Sequence, residues 1–171
     1  METWDAIRAR RNVRDFAERP IEQADLERIL EAGRRAPSSK NWQPWDFVVV
    51  SAREALVELA KVWRYGGSVA QSAVTVALIG PVLDDEMQKG WLQFDCGQAM
   101  MSMLIEAADL GIGTGHSAVG DQQRVRTLLG VPEDRFAVAL MPLGYPRDRP
   151  LAPIREPKRR PFAEVVHRER W

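Results

Sequence analysis

Apolar positions along the chain fall into two rhythms, one of period near 3.6 and one of short unbroken runs, and their alternation predicts the elements. Residues 3 to 10 read as a short helix leading into an arginine-rich stretch. From Gln23 to Gly33, Leu26, Ile29, Leu30 and Gly33 share one helical face, and Gly33 and Pro37 mark its end. Phe47 to Val50 is a short apolar run of the kind a buried strand shows. Ser51 and Glu54 have capping-box spacing and predict a helix with Leu56, Leu59, Ala60 and Trp63 turned inward, stopped at Gly66-Gly67. Ala73 to Ile79 is a second buried strand, closed by Gly80-Pro81. Met87 to Leu110 is the longest helical segment, apolar over more than one face through Trp91, Phe94, Met100, Met101, Met103, Leu104 and Ile105, which predicts a central helix. Gly111, Gly113 and Gly115 then read as a loop, Asp121 caps a helix to Leu129, and Arg135 to Met141 is a third buried strand. From Gly144 onward five prolines predict an extended arm as far as Phe162 to His167.

No repeat, low-complexity tract or flexible linker interrupts this order, so residues 1–171 are expected to form one domain with a sheet between helices. A charged fraction of 28% beside a hydrophobic fraction of 45% is the balance of a globular protein. No apolar run reaches the roughly 20 residues that span a bilayer, and Met1 to Asp5 lacks the core of a secretory signal. With one cysteine, Cys96, no intramolecular disulfide or multi-cysteine metal site can form. A reducing, cytoplasmic location is the expectation. Net charge is zero, but the arginines cluster: Arg8, Arg10, Arg11 and Arg14 lie near one end, and from Arg147 on there are eight basic against four acidic residues.

Four stretches carry candidate chemistry. Arg10-Arg11-Asn12-Val13-Arg14 places guanidiniums and an amide where they can grip a phosphate through charge-assisted hydrogen bonds, although most such runs are solvated faces. Ala36 to Trp45 is richer in hydroxyls, amides and tryptophans than a connector needs, which suits a planar heteroaromatic ligand; the plainer reading is a loop pinned by Trp45. Gly111 to Ser117 alternates glycines that let backbone N–H groups approach a ligand, without the spacing of a dinucleotide fingerprint. Lys158-Arg159-Arg160 is a basic tail that can close one phosphate site together with the N-terminal arginines. His116 has no partner that marks it as a base, the methionines read as core filler, and Cys96 reads as a buried, unreactive thiol.

In order, Arg-Arg-Asn-x-Arg-x-Phe, Ala-Pro-Ser-Ser-x-Asn-x-Gln-Pro-Trp, the helix and glycine stretch from Asp95 to Gly113, Gly144-Tyr145-Pro146 and the terminal Arg-Arg-Pro-x-x-Glu-Val-Val-His resemble the FMN-dependent nitroreductase family from about residue 4 to the end. The resemblance implies an α+β fold with a central, mostly antiparallel sheet flanked by helices and a C-terminal arm crossing to a partner subunit. It also implies a homodimer with FMN at the interface, and ping-pong transfer of electrons from NADH or NADPH to a small-molecule acceptor such as a nitroaromatic or quinone. Carried over by motif, Arg10, Arg11, Asn12, Arg159 and Arg160 would hold the FMN phosphate, the family more often having Ser at the place of Asn12. Arg14 would lie at the N1 and O2 edge of the ring. Pro37, Ser38, Ser39 and Asn41 would line the ring and ribityl, in part from the partner, and Gly113, Thr114 and Gly115 would offer backbone donors. Lys158 and His116 are adjacent candidates that the motif does not fix. The alternatives are a specialised relative of the same fold, such as a reductive dehalogenase, a flavin-consuming enzyme or an azoline-type oxidase, and a non-enzymatic nucleic-acid binder, against which zero net charge argues.

Overall fold

A computed structural model describes residues 1–171. Four strands form one antiparallel sheet in the order β1-β2-β4-β3: β1 Asp46–Val50, β2 Val74–Pro81, β3 Gly113–Thr114 and β4 Arg135–Gly144. The centre is β2, buried along Val74 to Gly80 because both faces of the sheet are covered. Alternation divides its side chains between two cores. Val76 and Leu78 point to the helices α2 (Gln23–Arg34) and α5 (Glu86–Asp109), where they meet Leu26, Ile29, Leu92 and Met103. Ala77 and Ile79 point to α3 (Arg53–Ala60) and α6 (Gln122–Leu129), where Leu56, Leu59 and Val125 close the second core. The unbroken apolar run in β2 thus reflects two-sided cover in an antiparallel sheet.

The short helix α1 (Thr3–Ala9) lies against α5, and α4 (Gly67–Gln71) follows α3. Several local expectations are corrected. Ser51 and Glu54 do not form a capping box: α3 begins at Arg53 behind Ala52, without a side-chain cap, and the Arg53 guanidinium is bonded to the carbonyls of Ala70 and Ser72. That helix ends at Ala60, so Trp63 sits in the following turn. Gly66 makes the turn possible, since a Cβ there would meet the Ala60 carbonyl oxygen at 2.0 Å. Gly67 opens a helix instead of ending one.

The predicted glycine loop is also partly strand. Gly113 and Thr114 pair with Gly144 and Leu143, so β4 runs three residues beyond the expected Met141. The reason is the N-terminal segment after α1, which lies on these strands: Val13 N–H donates to the Thr114 carbonyl at 2.8 Å, and Ala17 N–H to the Tyr145 carbonyl at 2.8 Å. A Cβ on Gly113 would stand 2.7 Å from the Val13 side chain, and one on Gly144 2.8 Å from the Phe16 ring.

The long helix α5 buries Leu92, Asp95, Cys96, Ala99 and Met103 on one side. Its other apolar side is bare in the protomer, with Met87, Trp91 and Phe94 exposed, as is Trp4 of α1. The all-round apolar pattern therefore marks a helix with one core face and one open face. From Pro146 the chain runs extended, as five prolines require, held by Arg147 on Asp15 and the Phe16 carbonyl and by Ile154 N–H on the Arg8 carbonyl. It ends beyond a single 3-10 turn, Phe162–Glu164, with Phe162, Val165, Val166 and Trp171 exposed.

Gly144→Ala tests the close approach. Phe16 is 1% exposed and its Cβ and ring base would lie about 3.0 Å from the added methyl, so neither can give way cheaply. The expected loss is about 1–3 kcal/mol, read as a lower urea midpoint at unchanged m-value. An unchanged midpoint would show that the segment is free to move off the strand.

Candidate active site

The N-terminal segment builds one side of a cleft. Val13 and Phe16 are buried at 2% and 1% exposure, so the residues between and beside them, Asn12 and Arg14, are turned out. They face a cavity of about 570 Å³ whose other walls are Trp63 and Tyr65 from the turn before α4, Gly67, Ser68 and Gln71 of α4 itself, and Gly115, His116, Ser117 and Ala118 from the segment after β3. Trp63 and Tyr65 meet edge to face with ring centroids 6.0 Å apart, and the Arg64 guanidinium lies 4.6 Å from the Tyr65 centroid. Ser117 fixes the third wall by exchanging two backbone hydrogen bonds with Leu140, at 2.8 and 2.9 Å.

Arg10 joins this cleft to a second. Its guanidinium donates to Asn12 Oδ1 at 3.4 Å, and it borders a cavity of about 520 Å³ with Arg8, Arg155 and Arg159 among the lining residues. Arg8 is paired with Asp5 at 2.6 Å. Arg10, Arg14, Arg155 and Arg159 form no salt bridge in a chain that has a carboxylate for many of its other arginines. Arg10, Arg155 and Arg159 line one concavity without a counter-charge and repel one another there, and an anion in that cleft relieves the repulsion.

The other two basic candidates are committed elsewhere. Arg11 bonds Asp148 at 2.7 Å and the Arg149 carbonyl at 2.9 Å, which pins the arm to the N-terminal segment and holds the Asp148 carboxyl below its ordinary range. Arg160 turns back onto the carbonyl and carboxylate of Glu164, and Lys158 lines neither cleft. Of the glycine stretch, Gly113 and Thr114 are buried in the sheet, and Thr114 gives its carbonyl to Val13. Only Gly115 borders the first cleft, and its N–H is already donated to the Pro142 carbonyl at 3.0 Å, so its contribution there is shape.

The loop of Pro37, Ser38, Ser39 and Asn41 lies apart. Ser39 borders a third, open cavity of about 740 Å³ with Lys40, Trp42, Met87, Gln88 and Trp91, and this cavity shares no residue with the first two. One protomer therefore brings Asn12, Arg14, Gly115 and His116 to one cleft and Arg10 and Arg159 to another, linked by the Arg10–Asn12 hydrogen bond, and leaves the Ser38–Asn41 loop outside them. Sequence reasoning missed Trp63, Tyr65, Gln71 and Arg155. The available signal was Trp-Arg-Tyr before a double glycine, which presents two rings on a tight turn.

Residues 7–73 and 63–145 match the Nitroreductase family, and the chain belongs to that family. A protein of Archaeoglobus fulgidus provisionally named NADH dehydrogenase/NAD(P)H nitroreductase is 35% identical over 170 residues, covering 96% of both chains. A Thermus thermophilus NADH dehydrogenase is 27% identical over 176 residues, covering 81% of this chain and 84% of its own. Among solved structures, the NADPH:FMN oxidoreductase of Vibrio harveyi complexed with NAD+ superposes with a TM-score of 0.86 at 25% identity, over 97% of this chain and 76% of that one. A Parabacteroides distasonis protein of the same provisional name as the archaeal relative gives 0.85 at 26% identity, over 100% and 99%. The shared fold is that of the α+β sheet and helices described above. No group of side chains suited to a metal ion occurs, and no helix is long and apolar enough to cross a membrane.

Cys96 supplies a check on the core behind the site. It is 2% exposed, and burial, with the Asp95 charge beside it, pushes its thiol up to about 11. Since the thiolate is the nucleophile, native protein at pH 8 is expected to resist a disulfide reagent that labels it stoichiometrically in denaturant. Rapid native labelling would place Cys96 in an open segment of α5.

Proposed function

We propose that residues 1–171 form one FMN-binding domain of an NAD(P)H-dependent oxidoreductase. The observation that carries the reading is the set of unpaired arginines, Arg10, Arg155 and Arg159, joined through Asn12 to the cleft of Arg14, Trp63, Tyr65 and His116. A phosphate at one end and a flat ring at the other fit that pair of spaces, and the basic groups line concavities instead of the broad face a nucleic-acid binder presents. A bound FMN would supply the redox chemistry, accepting hydride from NADH or NADPH and passing electrons to a nitroaromatic, quinone or similar acceptor in separate half-reactions.

The protein's part is to bind, orient and tune. Arg10, Asn12 and Arg159 would hold the phosphate, with Arg155 as a further donor. Arg14 would place a permanent cation at the ring edge, where it stabilises negative charge gained on reduction. Arg11 would act indirectly by holding the arm that carries Arg155 and Arg159. No general acid–base triad is present in the clefts, and redox chemistry residing on a cofactor requires none.

The working unit in this reading is a homodimer. The bare face of α5 with Trp91 and Phe94, the exposed Trp4 of α1 and the apolar tail residues need a covering surface, and a second copy is self-complementary. A partner would also deliver the loop of Pro37, Ser38, Ser39 and Asn41 to a cleft that the protomer leaves incomplete, while the exposed apolar residues beyond Arg160 reached across in return.

Purified protein is expected to be yellow and to release FMN, not FAD, on denaturation; recovery of FAD, or no uptake of either flavin, would sink the assignment. Arg10→Ala is expected to weaken FMN binding by about 1.5–3 kcal/mol, the worth of a charged hydrogen-bond set. Arg14→Ala, saturated with FMN, is expected to show a lower two-electron reduction potential and slower reduction by NAD(P)H; wild-type values for both would remove Arg14 from the ring edge. Light scattering on the eluting flavin-loaded protein should give a dimer mass, and FMN should raise its melting temperature. A flavin-loaded, active monomer would refute the shared site.

A further inference from the structure

Asp95 is a fully buried carboxylate, 0% exposed, on the core side of α5 among Leu92, Cys96, Ala99 and Met103. It forms no salt bridge. A buried charge without a counter-ion is costly, and the surrounding core would accept an apolar side chain in its place. The only group it binds from outside its own helix is Ser39, 56 residues away in sequence: the Ser39 N–H donates to Asp95 Oδ2 at 3.0 Å and the Ser39 hydroxyl to Oδ1 at 3.4 Å. Gln98 Nε2, one helical turn along, donates to Oδ1 at 3.4 Å.

What Ser39 opens is strained. Lys40, Asn41 and Gln43 have φ of 51°, 57° and 52°, three non-glycine residues in the left-handed region within four positions. Such a backbone persists only where its surroundings over-determine it. Inside the loop, Gln43 N–H donates to Ser38 Oγ at 2.8 Å and Gln43 Nε2 to the Asn41 carbonyl at 3.0 Å, but these bonds move with the loop. Asp95 is the side chain that ties the turn to the helix. Because both donors of Ser39 are spent inward, the loop turns outward with Lys40, Trp42 and the Asn41 side-chain amide, which makes no hydrogen bond within the chain.

We propose that Asp95 is a positioning residue: it locks Ser39 so that the strained turn presents Asn41, and not Ser39, to the flavin of the shared site. The inference rests on the FMN reading above for its ligand and on the hydrogen bonds alone for its mechanics. Two readouts separate these. One is the FMN dissociation constant, measured by quenching of flavin fluorescence. The other is the rate at which trypsin cuts flavin-free protein after Lys40, followed by the mass of the fragment released.

Asp95→Ala is expected to raise the FMN dissociation constant at least tenfold and to speed cleavage after Lys40 at least tenfold. Asp95→Asn is expected to stay within threefold of wild type in both, because its carboxamide oxygen still accepts the Ser39 N–H. Should Asp95→Ala fail to fold, Ser39→Pro removes the same N–H from the loop side; Ser38 is extended, with φ −145° and ψ 159°, a conformation that a following proline accepts. The expected effects are the same. Wild-type FMN affinity or wild-type trypsin resistance in the disrupting variant overturns the proposal, as does an Asp95→Asn protein damaged as much as Asp95→Ala, which would assign the role to charge. If wild-type protein takes up no FMN, the flavin reading falls, and the cleavage rates alone decide whether Asp95 holds the turn.

Discussion

The approach of the N-terminal segment to the sheet, close enough to exclude any side chain larger than hydrogen at two positions, is the constraint on which the candidate site depends. Val13 lies on Gly113 and Phe16 on Gly144, with backbone bonds from Val13 to Thr114 and from Ala17 to Tyr145. Those contacts decide which residues of the arginine-rich stretch face outward and which do not. With Val13 and Phe16 seated, Asn12 and Arg14 are turned to one cleft, Arg10 stands between two, and Arg11 is turned to the arm. A sheet edge and a basic segment thereby become one wall, and the chemistry of the wall follows from packing behind it.

The helices and central strands were legible because their burial is simple. Leu26, Ile29 and Gly33 keep a helical period on the face turned to the core they share with α5, and β2 is buried from Val74 to Gly80 because it is covered on both faces. Errors arose where tertiary contact overrode local chemistry. Ser51 has the spacing of a cap, but Arg53 is held by carbonyls across a turn, and the helix starts there. Gly113 resembles a ligand-binding glycine in sequence and is a packing glycine in space, for its free side faces Val13. The phosphate-binding candidates were legible as a group of arginines. Their division into paired Arg11 and Arg160 and unpaired Arg10 and Arg159 was not, since Asp148 and Glu164 are ordinary charges until the arm is placed.

The long helix serves two purposes that a periodicity cannot separate. Its apolar residues are distributed nearly all round, yet one side fills a core and the other is bare, with Trp91 49% and Phe94 59% exposed. Asp95 is conspicuous for the opposite reason: a charged residue on the filled side. A hydrophobic pattern registers the first as interior and the second as an interruption, while the structure shows a surface in one case and an anchor in the other.

The interlocking of the two chain ends bears on the order of folding. Arg11 meets Asp148, Asp15 meets Arg147 and the Arg8 carbonyl meets Ile154, so the basic segment has partners that leave the ribosome long after it does. These are contacts of very high sequence separation, whose loop-closure entropy must be met before they return any stability. The sheet and its two cores can collapse on pairings internal to residues 23–144, but the arginine cleft cannot close until the arm has left the ribosome. A chain truncated before Arg147 would keep both cores and lose the wall of the second cleft that Ile154, Arg155 and Arg159 form.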